Sequence, residues 1–158
     1  MMSIDLSNRL REVYLSGRWI ANTNCKQELD SVHWQQAVRQ IDGCNNIAML
    51  TGHLNYYIAG ILDVMDGKPL TISDKHSFDM LPINHAERWD ALRQDLYTHA
   101  EAMAERIEAL SAQQLQSTFV DSQYGTWQRN LEALIEHGYY HLGQIVLLKK
   151  ILAAETIK

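Results

Sequence analysis

A helical repeat of apolar residues is the feature that most constrains the fold of this 158-residue chain. Apolar side chains recur every three or four residues through four long stretches, while the alternation typical of strands is almost absent. In the first stretch the repeat comprises Leu6, Leu10, Val13, Gly17 and Ile20. Each repeat gives a helix one apolar face that must be buried against another element. The pattern therefore predicts an all-α fold.

Four long helices and two short ones account for most of the chain. The long helices are predicted at about residues 4–20, 45–65, 84–110 and 126–152, and the short ones at 33–40 and 111–116. Gly67 ends the second long helix, and both prolines, Pro69 and Pro82, lie in a loop over residues 68–83. Thr126 can cap the fourth long helix, and residues 22–31 read as a polar turn. Short to medium connections favour antiparallel neighbours. We therefore expect a single domain over residues 1–158 that folds as an antiparallel, up-and-down four-helix bundle.

Charge and hydropathy exclude several classes of protein. Fourteen Lys and Arg against nineteen Asp and Glu give a net charge of −5, without the basic patch that nucleic-acid binding needs. No stretch is apolar enough to span a membrane, and the first residues lack the regions of a signal peptide. We therefore expect a cytoplasmic protein that binds neither nucleic acid nor membranes. Cys25 and Cys44 are expected to be free thiols in that reducing compartment.

Two polar stripes run along the second and fourth predicted helices. On the fourth, the stripe consists of Asn130, Leu134, His137, His141, Gln144 and Leu148, and on the second, of Asn46, Leu50, His53, Tyr57, Gly60 and Val64. In both helices an Asn stands seven residues before a His. Apolar positions flank the stripe of the fourth helix, which places it at or beside the core, where polar groups need partners.

The histidines of these stripes admit two interpretations. His137 and His141 stand one turn apart and could share a metal ion, and His53 from a facing helix would complete a set of three imidazoles. Alternatively, they are core histidines that bond to ordinary protein groups. Glu136 points about 100° away from His137, so it is not an obvious general base.

Four glycines interrupt the two helices that carry these histidines, namely Gly52, Gly60, Gly138 and Gly143. Each costs about 1 kcal/mol relative to Ala inside a helix. Either close helix packing or room for a ligand would explain them. The remaining histidines, His33, His76, His85 and His99, are expected at surface or boundary positions.

Three segments carry a resemblance to a known family. They are Ala48–Tyr57 (AMLTGHLNYY) in the second predicted helix, Trp89 at the start of the third, and Ile135–Ile145 (IEHGYYHLGQI) in the fourth. On these the chain resembles, over nearly its whole length, the DinB/YfiT-like superfamily of four-helix-bundle proteins. The resemblance implies that His53, His137 and His141 bind a divalent metal. Characterised relatives include transferases and isomerases that use low-molecular-weight thiols, and some relatives were suggested to be metal-dependent hydrolases.

The site that this resemblance implies has three imidazoles and an open coordination position. Imidazole nitrogen suits Zn²⁺ or Ni²⁺ better than Mg²⁺, and affinity should fall as pH drops through the histidine range near 6.5. Tyr57, Asn130 and Gln144 would orient the metal ligands or line the substrate site. A metal-dependent transferase that uses a low-molecular-weight thiol, a metal-dependent hydrolase and a non-catalytic metal or small-molecule binding bundle remain alternatives. The catalytic residues, and whether the site is catalytic, stay open.

A homodimer is also expected. Relatives often dimerise. The chain also has more large aromatic side chains than the helix ends of one bundle need to cap its core, namely Trp19, Trp34 and Trp127. Symmetric dimers are the commonest oligomers.

Overall fold

The computed structural model describes residues 2–156, and within them it contains seven α-helices and no strand. The helices are α1 (Met2–Arg11), α2 (Cys25–Asp30), α3 (Trp34–Ala37), α4 (Ile47–Met65), α5 (Ala86–Glu108), α6 (Ala112–Gln116) and α7 (Trp127–Thr156). The all-α prediction is confirmed. No helix in this part of the chain is long and apolar enough to cross a membrane.

The first helix ends earlier than the apolar repeat predicts. After Arg11 the chain continues as a π-helical turn, Glu12–Ser16, and then leaves the helix at Gly17 in an extended conformation. A Cβ built on Gly17 would lie 2.0 Å from Cγ of Glu12, so only glycine allows this close exit. Gly17 and Ile20 therefore do not continue the helical stripe, and Ile20 is exposed.

Side-chain caps fix the starts of the two helices that carry the polar stripes. Asn46 precedes α4, and its side chain accepts a hydrogen bond from the backbone N–H of Met49. Thr126 precedes α7, and its hydroxyl accepts from the backbone N–H of Arg129, as its predicted capping role requires. Asn46 is thus a capping residue and not a member of the polar stripe.

A short helix, α2, lies where the sequence reads as a polar turn. The side chain of Asn24 caps it by accepting from Gln27 N–H. Its two apolar residues, Cys25 and Leu29, are fully buried. A helix of six residues is too short to show a periodic apolar pattern, which is why the sequence did not reveal it.

The four longest helices surround one apolar core. Each of them contacts two of the others: α1 packs on α5, α5 on α4, α4 on α7, and α7 on α1. The fully buried side chains come from all four helices and include Leu10, Leu54, Leu96, Met103, Leu131 and Ile145.

The direction of α5 differs from the predicted up-and-down order. Asn55 on α4 pairs with His99 on α5, and Asp66 just after α4 pairs with Arg106 further along α5. Residue numbers increase together on both helices, so α4 and α5 run parallel. The expected antiparallel arrangement is wrong for this pair, because the chain between the two helices is long enough to return along α4.

That returning chain, the crossover segment of residues 66–85, lies against α4. A Cβ built on Gly60 would lie 2.1 Å from Cγ2 of Ile72, and one built on Gly52 would lie 2.9 Å from Sδ of Met80. The segment therefore runs from the end of α4 back toward its start. Two of the four helical glycines make room for this segment rather than for another helix.

Candidate metal centre

Three imidazole rings meet between α4 and α7. Nε2 of His137 lies 3.0 Å from Nε2 of His53 and 2.8 Å from Nε2 of His141. One ligand nitrogen from each of the three lies within 4.8 Å of the other two. Three nitrogens with lone pairs that face one point form an arrangement that can hold a metal ion.

Helix geometry explains how the rings come together. His137 and His141 are four residues apart on α7, so they lie on one face, one turn apart. His53 reaches them from α4, which packs on that face of α7. His53 and His141 are buried, with 7% and 6% of their surface exposed, whereas His137 is only partly buried. His137 is therefore the most accessible member of the cluster.

Gln144 fixes the orientation of His141. Its Oε1 lies 2.6 Å from Nδ1 of His141 and accepts the hydrogen of that nitrogen. The neutral ring then has its lone pair on Nε2, the nitrogen that faces the other two histidines. This is how a hydrogen bond on the far side of an imidazole prepares it to bind a metal. Gln144 thus contacts a metal-ligand candidate, as its place in the polar stripe suggested.

Aromatic rings enclose His53. Phe78, from the crossover segment, stacks on it with centroids 4.2 Å apart and planes 9° apart. Tyr57 makes edge contacts with both His53 and His137, at 5.0 and 5.1 Å. Among the described residues, no group makes a hydrogen bond of normal geometry with the buried Nδ1 of His53, although the Ser77 backbone acts to raise the pKa of this ring.

All three histidines are held in the neutral form. Burial, followed by the neighbouring His141 and His53, lowers the pKa of His137 to about 4. The pKa of His53 is lowered by burial and then by His141, and that of His141 by burial, against which the bond to Gln144 acts. Neutral imidazole is the form that binds a metal, so the cluster does not have to lose protons near pH 7.

A cleft of about 610 Å³ opens beside His137. Its apolar walls are Ile61, Leu70, Ile72, Phe119, Ala133 and Leu134, and its polar residues are Tyr57, Ser73, Asp74, Tyr124, Asn130 and His137. The volume lies in the range of small-molecule sites, which is roughly 300–1,000 Å³. His137 belongs both to the histidine cluster and to the cleft, so a molecule in the cleft would reach the cluster through this ring.

The other two residues predicted around the metal also line this cleft. Tyr57 contacts the histidines with its ring, whereas Asn130 stands at the far end, near the start of α7. The Asn130 amide nitrogen donates to the backbone carbonyls of Tyr124 and Thr126, both at 2.8 Å. Asn130 therefore holds the start of α7 and shapes the cleft, but it makes no hydrogen bond to the cluster.

Sequence reasoning missed one carboxylate, Asp74. It lies in the crossover segment, where its carboxylate accepts the hydroxyl hydrogen of Tyr57. Burial and this carboxylate raise the pKa of Tyr57 to about 12, so the phenol stays protonated. Asp74 also acts to raise the pKa of His53 and His137. Asp74 lies outside the α-helices, so no helical spacing relates it to the histidine stripes.

Several residues lie apart from the cluster. His99 pairs with Asn55 across the α4–α5 contact, its Nδ1 2.8 Å from Oδ1 of the amide. Glu136 is exposed and paired with Arg129, so the expectation that it points away from His137 is confirmed. His76 is exposed and paired with Asp79.

The two glycines of α7 differ in their surroundings. A Cβ built on Gly138 would lie 2.8 Å from the hydroxyl of Tyr14, which donates a hydrogen bond to the carbonyl of Leu134. Gly138 therefore allows α1 and its π-helical turn to approach α7 directly beside His137. Around Gly143, by contrast, no described atom outside the helix lies within 4 Å of the built Cβ.

Comparison with known families finds a match over most of the chain. The sequence model of the DinB superfamily matches residues 27–145, about three quarters of the chain. The matched range contains α4, α5, the crossover segment and all three histidines of the cluster. Comparison with curated proteins finds no match, and neither does comparison with solved structures.

Proposed function

The chain belongs to the DinB superfamily, and from that premise we propose that it is a divalent-metal-binding protein whose ligands are His53, His137 and His141. The observation that carries the proposal is the convergence of their three ring nitrogens within 4.8 Å. Their lowered pKa values support it, because neutral rings can bind a cation without first losing protons.

The donor set fits Zn²⁺ or Ni²⁺. All three candidate ligands are imidazoles, which these ions prefer, whereas Mg²⁺ prefers oxygen. When bound, such an ion acts as a Lewis acid and lowers the pKa of a water or thiol in its open position. The protein's own contribution is to fix His141 through Gln144 and to shield His53 with Phe78.

Metal titration tests this function. Metal-free protein, purified without a metal-affinity tag, is titrated with Zn²⁺, Ni²⁺ and Mg²⁺ in a calorimeter. We expect one saturable site for Zn²⁺ and Ni²⁺ and much weaker binding of Mg²⁺. Absence of a saturable site for the first two ions would show that the three rings are core histidines.

A second candidate function is metal-dependent catalysis on a small molecule. It is favoured by the position of His137, which is shared by the cluster and the 610 Å³ cleft. A transferase that uses a low-molecular-weight thiol and a hydrolase both fit a Lewis-acid centre with an open position. Metal-dependent turnover with a panel of thiols and esters would support catalysis. Metal binding without turnover on any of them favours a non-catalytic binding protein.

We also propose that the four long helices form a closed bundle in which α4 and α5 are parallel neighbours. The ring of contacts through α1, α5, α4 and α7 supports this arrangement. Spin labels at residues 66 and 106, which form an ion pair, should report a short separation. An antiparallel pair would separate them by about the length of α4, roughly 28 Å at a rise of 1.5 Å per residue.

The homodimer remains a proposal with a narrower basis. Trp34 is partly buried against the core, and Trp127 packs edge-on against Phe119. Only Trp19, which is 90% exposed beside the exposed Ile20, is still available to a second copy. Light scattering should return twice the mass of 18.2 kDa. A monomer mass at all micromolar concentrations would contradict the proposal.

A further inference from the structure

The polar groups of the cleft have an uneven distribution of hydrogen-bond donors and acceptors. The amide hydrogens of Asn130 are engaged by two backbone carbonyls, and the hydroxyl of Tyr57 donates to Asp74. The backbone N–H of Ser73 is also engaged, since it donates to the hydroxyl of Tyr56 at 2.9 Å. What remains is the acceptor capacity of the Asp74 carboxylate, which offers about four lone-pair sites of which the Tyr57 hydroxyl uses one. The hydroxyls of Ser73 and Tyr124 also line the cleft and can both donate and accept.

The charge of the cleft points the same way. Among the residues that the structure describes, no Lys or Arg lines it, and its one charged side chain is the carboxylate of Asp74. Recognition of carboxylates or phosphates in proteins relies on Arg or Lys donors. A polyanionic molecule would therefore enter without a partner for its charges, and it would face Asp74.

The walls limit the shape of an occupant. Six apolar side chains line the cleft, so most of the surface that a bound molecule presents must be apolar as well. The cleft meets the histidine cluster only at His137, where an electron-pair donor of the molecule would find the metal centre. Asp74 lies in a different element, the crossover segment, and supplies a second polar contact.

We propose that this cleft takes a small, mainly apolar molecule that presents an ammonium or hydroxyl group to Asp74, and that it discriminates against polyanions. This inference rests on the proposed function, of which it names the substrate class. The same property of the cleft restricts the thiols that could serve as co-substrates. A thiol with several carboxylates would find no Lys or Arg side chain among the described residues of the cleft lining to pair with them. Asp74 acts as the residue that selects the ligand by charge.

The experiment uses metal-free protein, so that coordination to a metal cannot contribute to binding. Three probes of similar size are titrated at low ionic strength, where charge interactions are least screened. They are 2-phenylethylamine, which is a cation, 2-phenylethanol, which is neutral, and 3-phenylpropionate, which is an anion. Binding is measured by nuclear magnetic resonance as shifts of the Tyr124 and Asn130 backbone amides. We expect the amine to bind several-fold more tightly than the alcohol, and the alcohol more tightly than the acid.

Two variants of the crossover segment distinguish a contact of the ligand with Asp74 from a general effect of the protein's negative charge. Asp74→Asn should remove the advantage of the amine over the alcohol. Asp79→Asn is the matched control, because it removes the same charge from the same segment at a residue that is exposed and does not line the cleft. It should keep the order of the three probes.

The proposal is overturned if the acid binds as tightly as the amine, or if Asp74→Asn leaves the order unchanged. Zinc titration of the wild type and of each variant distinguishes failure of this inference from failure of the proposed metal binding. If the wild type lacks the predicted probe order but has an intact zinc site, the inference alone is contradicted. If the wild type lacks a zinc site but shows the probe order, the metal proposal alone is contradicted.

Discussion

Helix α4 takes part in two contacts that involve histidines, one toward α5 and one toward α7, and the two sites differ in what each ring meets. Toward α5, His99 meets the amide oxygen of Asn55, a complementary partner at 2.8 Å. Toward α7, His53 meets two further histidines, and its own Nδ1 is buried without a normal hydrogen bond to any described group.

The contrast separates a structural histidine from a candidate ligand. Nδ1 of His99 has a protein partner, and no nitrogen of this partly buried ring is buried without one among the described residues. In the cluster the Nε2 atom of His137 faces the Nε2 atoms of His53 and His141, and burial makes a protonated ring costly. Such a group could hold a metal ion. Substitutions at the two sites should therefore affect different properties.

Removal of a cluster histidine should have the largest effect. His137→Ala deletes the ring that lies between the other two, and we expect zinc affinity to fall at least a hundredfold, measured by competition with a chelating dye. The bundle should stay folded, because a domain of this size has enough apolar core without the ion. His99→Ala is the control and should bind zinc like the wild type. The opposite result, loss in His99→Ala but not in His53→Ala or His137→Ala, would refute the ligand assignment.

A smaller loss of zinc affinity is expected when the hydrogen-bond partner of one candidate ligand is removed. Gln144→Ala leaves all three rings in place but removes the acceptor of His141 Nδ1. Partners of this kind are worth roughly 10- to 100-fold in metal affinity. Zinc affinity should therefore fall within that range, and Gln144→Glu, which keeps an acceptor, should restore most of it. Unchanged affinity in Gln144→Ala would mean that packing alone orients His141.

Substitution of Gly60 should affect stability and the cleft together. Gly60→Ala places a methyl group against Ile72 and must displace the crossover segment, which we expect to cost about 1–3 kcal/mol in the free energy of unfolding. Gly143→Ala, on the exposed face of α7 and in open space, should gain up to about 1 kcal/mol from helix propensity. Urea denaturation measures both. Equal effects of the two substitutions would show that the segment is not held at Gly60.

Acid should lower the free energy of unfolding of the metal-free protein, because the three cluster histidines resist protonation in the folded state. The folded state lowers the pKa of all three histidines below their usual value of 6.5, for His137 to about 4. Between these values the unfolded chain binds more protons than the folded one, so the free energy of unfolding falls as pH drops from about 6.5 toward 4. Zinc affinity should likewise persist to lower pH than the ordinary histidine range suggests.

Thermal melts at several pH values measure this decline in stability. His137→Ala should flatten it, because the ring whose pKa is lowered to about 4 is gone, while His99→Ala should retain it. A wild-type melting temperature that is constant between pH 6.5 and 4 would contradict neutral, buried rings.

The smallest effect is expected at the structural histidine. His99→Ala removes one hydrogen bond between α4 and α5, which is worth about 1 kcal/mol. For a domain of this length the melting temperature should fall by roughly 2–4 °C. A larger decrease would show that the contact of His99 with Asn55 holds the two helices in place.

The sequence predicted the helices and the three histidines because both depend on local spacing. A residue four positions from another lies on the same helix face whatever the rest of the chain does, so His137 and His141 were bound to be neighbours. The Gly67 stop and the Thr126 cap are also local, and the structure places both as predicted.

Features that depend on the path of a loop could not be predicted in this way. Three features follow from the way the crossover segment returns along α4. They are the parallel direction of α4 and α5, the contact of Phe78 with His53, and the position of Asp74. No periodicity marks such a path. Gly60 indicated that another segment packs closely on α4, since a glycine inside a helix often allows a close neighbour. The sequence did not identify that segment.

The unequal exposure of the three histidines also determines how quickly an ion could leave the site. Phe78 covers His53, and His141 is buried, so His137 in the cleft provides the route between the cluster and solvent. A molecule that fills the cleft would therefore block the exit of an ion as well as its access to water. The rate at which a chelator extracts zinc then becomes a measure of cleft occupancy, even for ligands that never touch the metal.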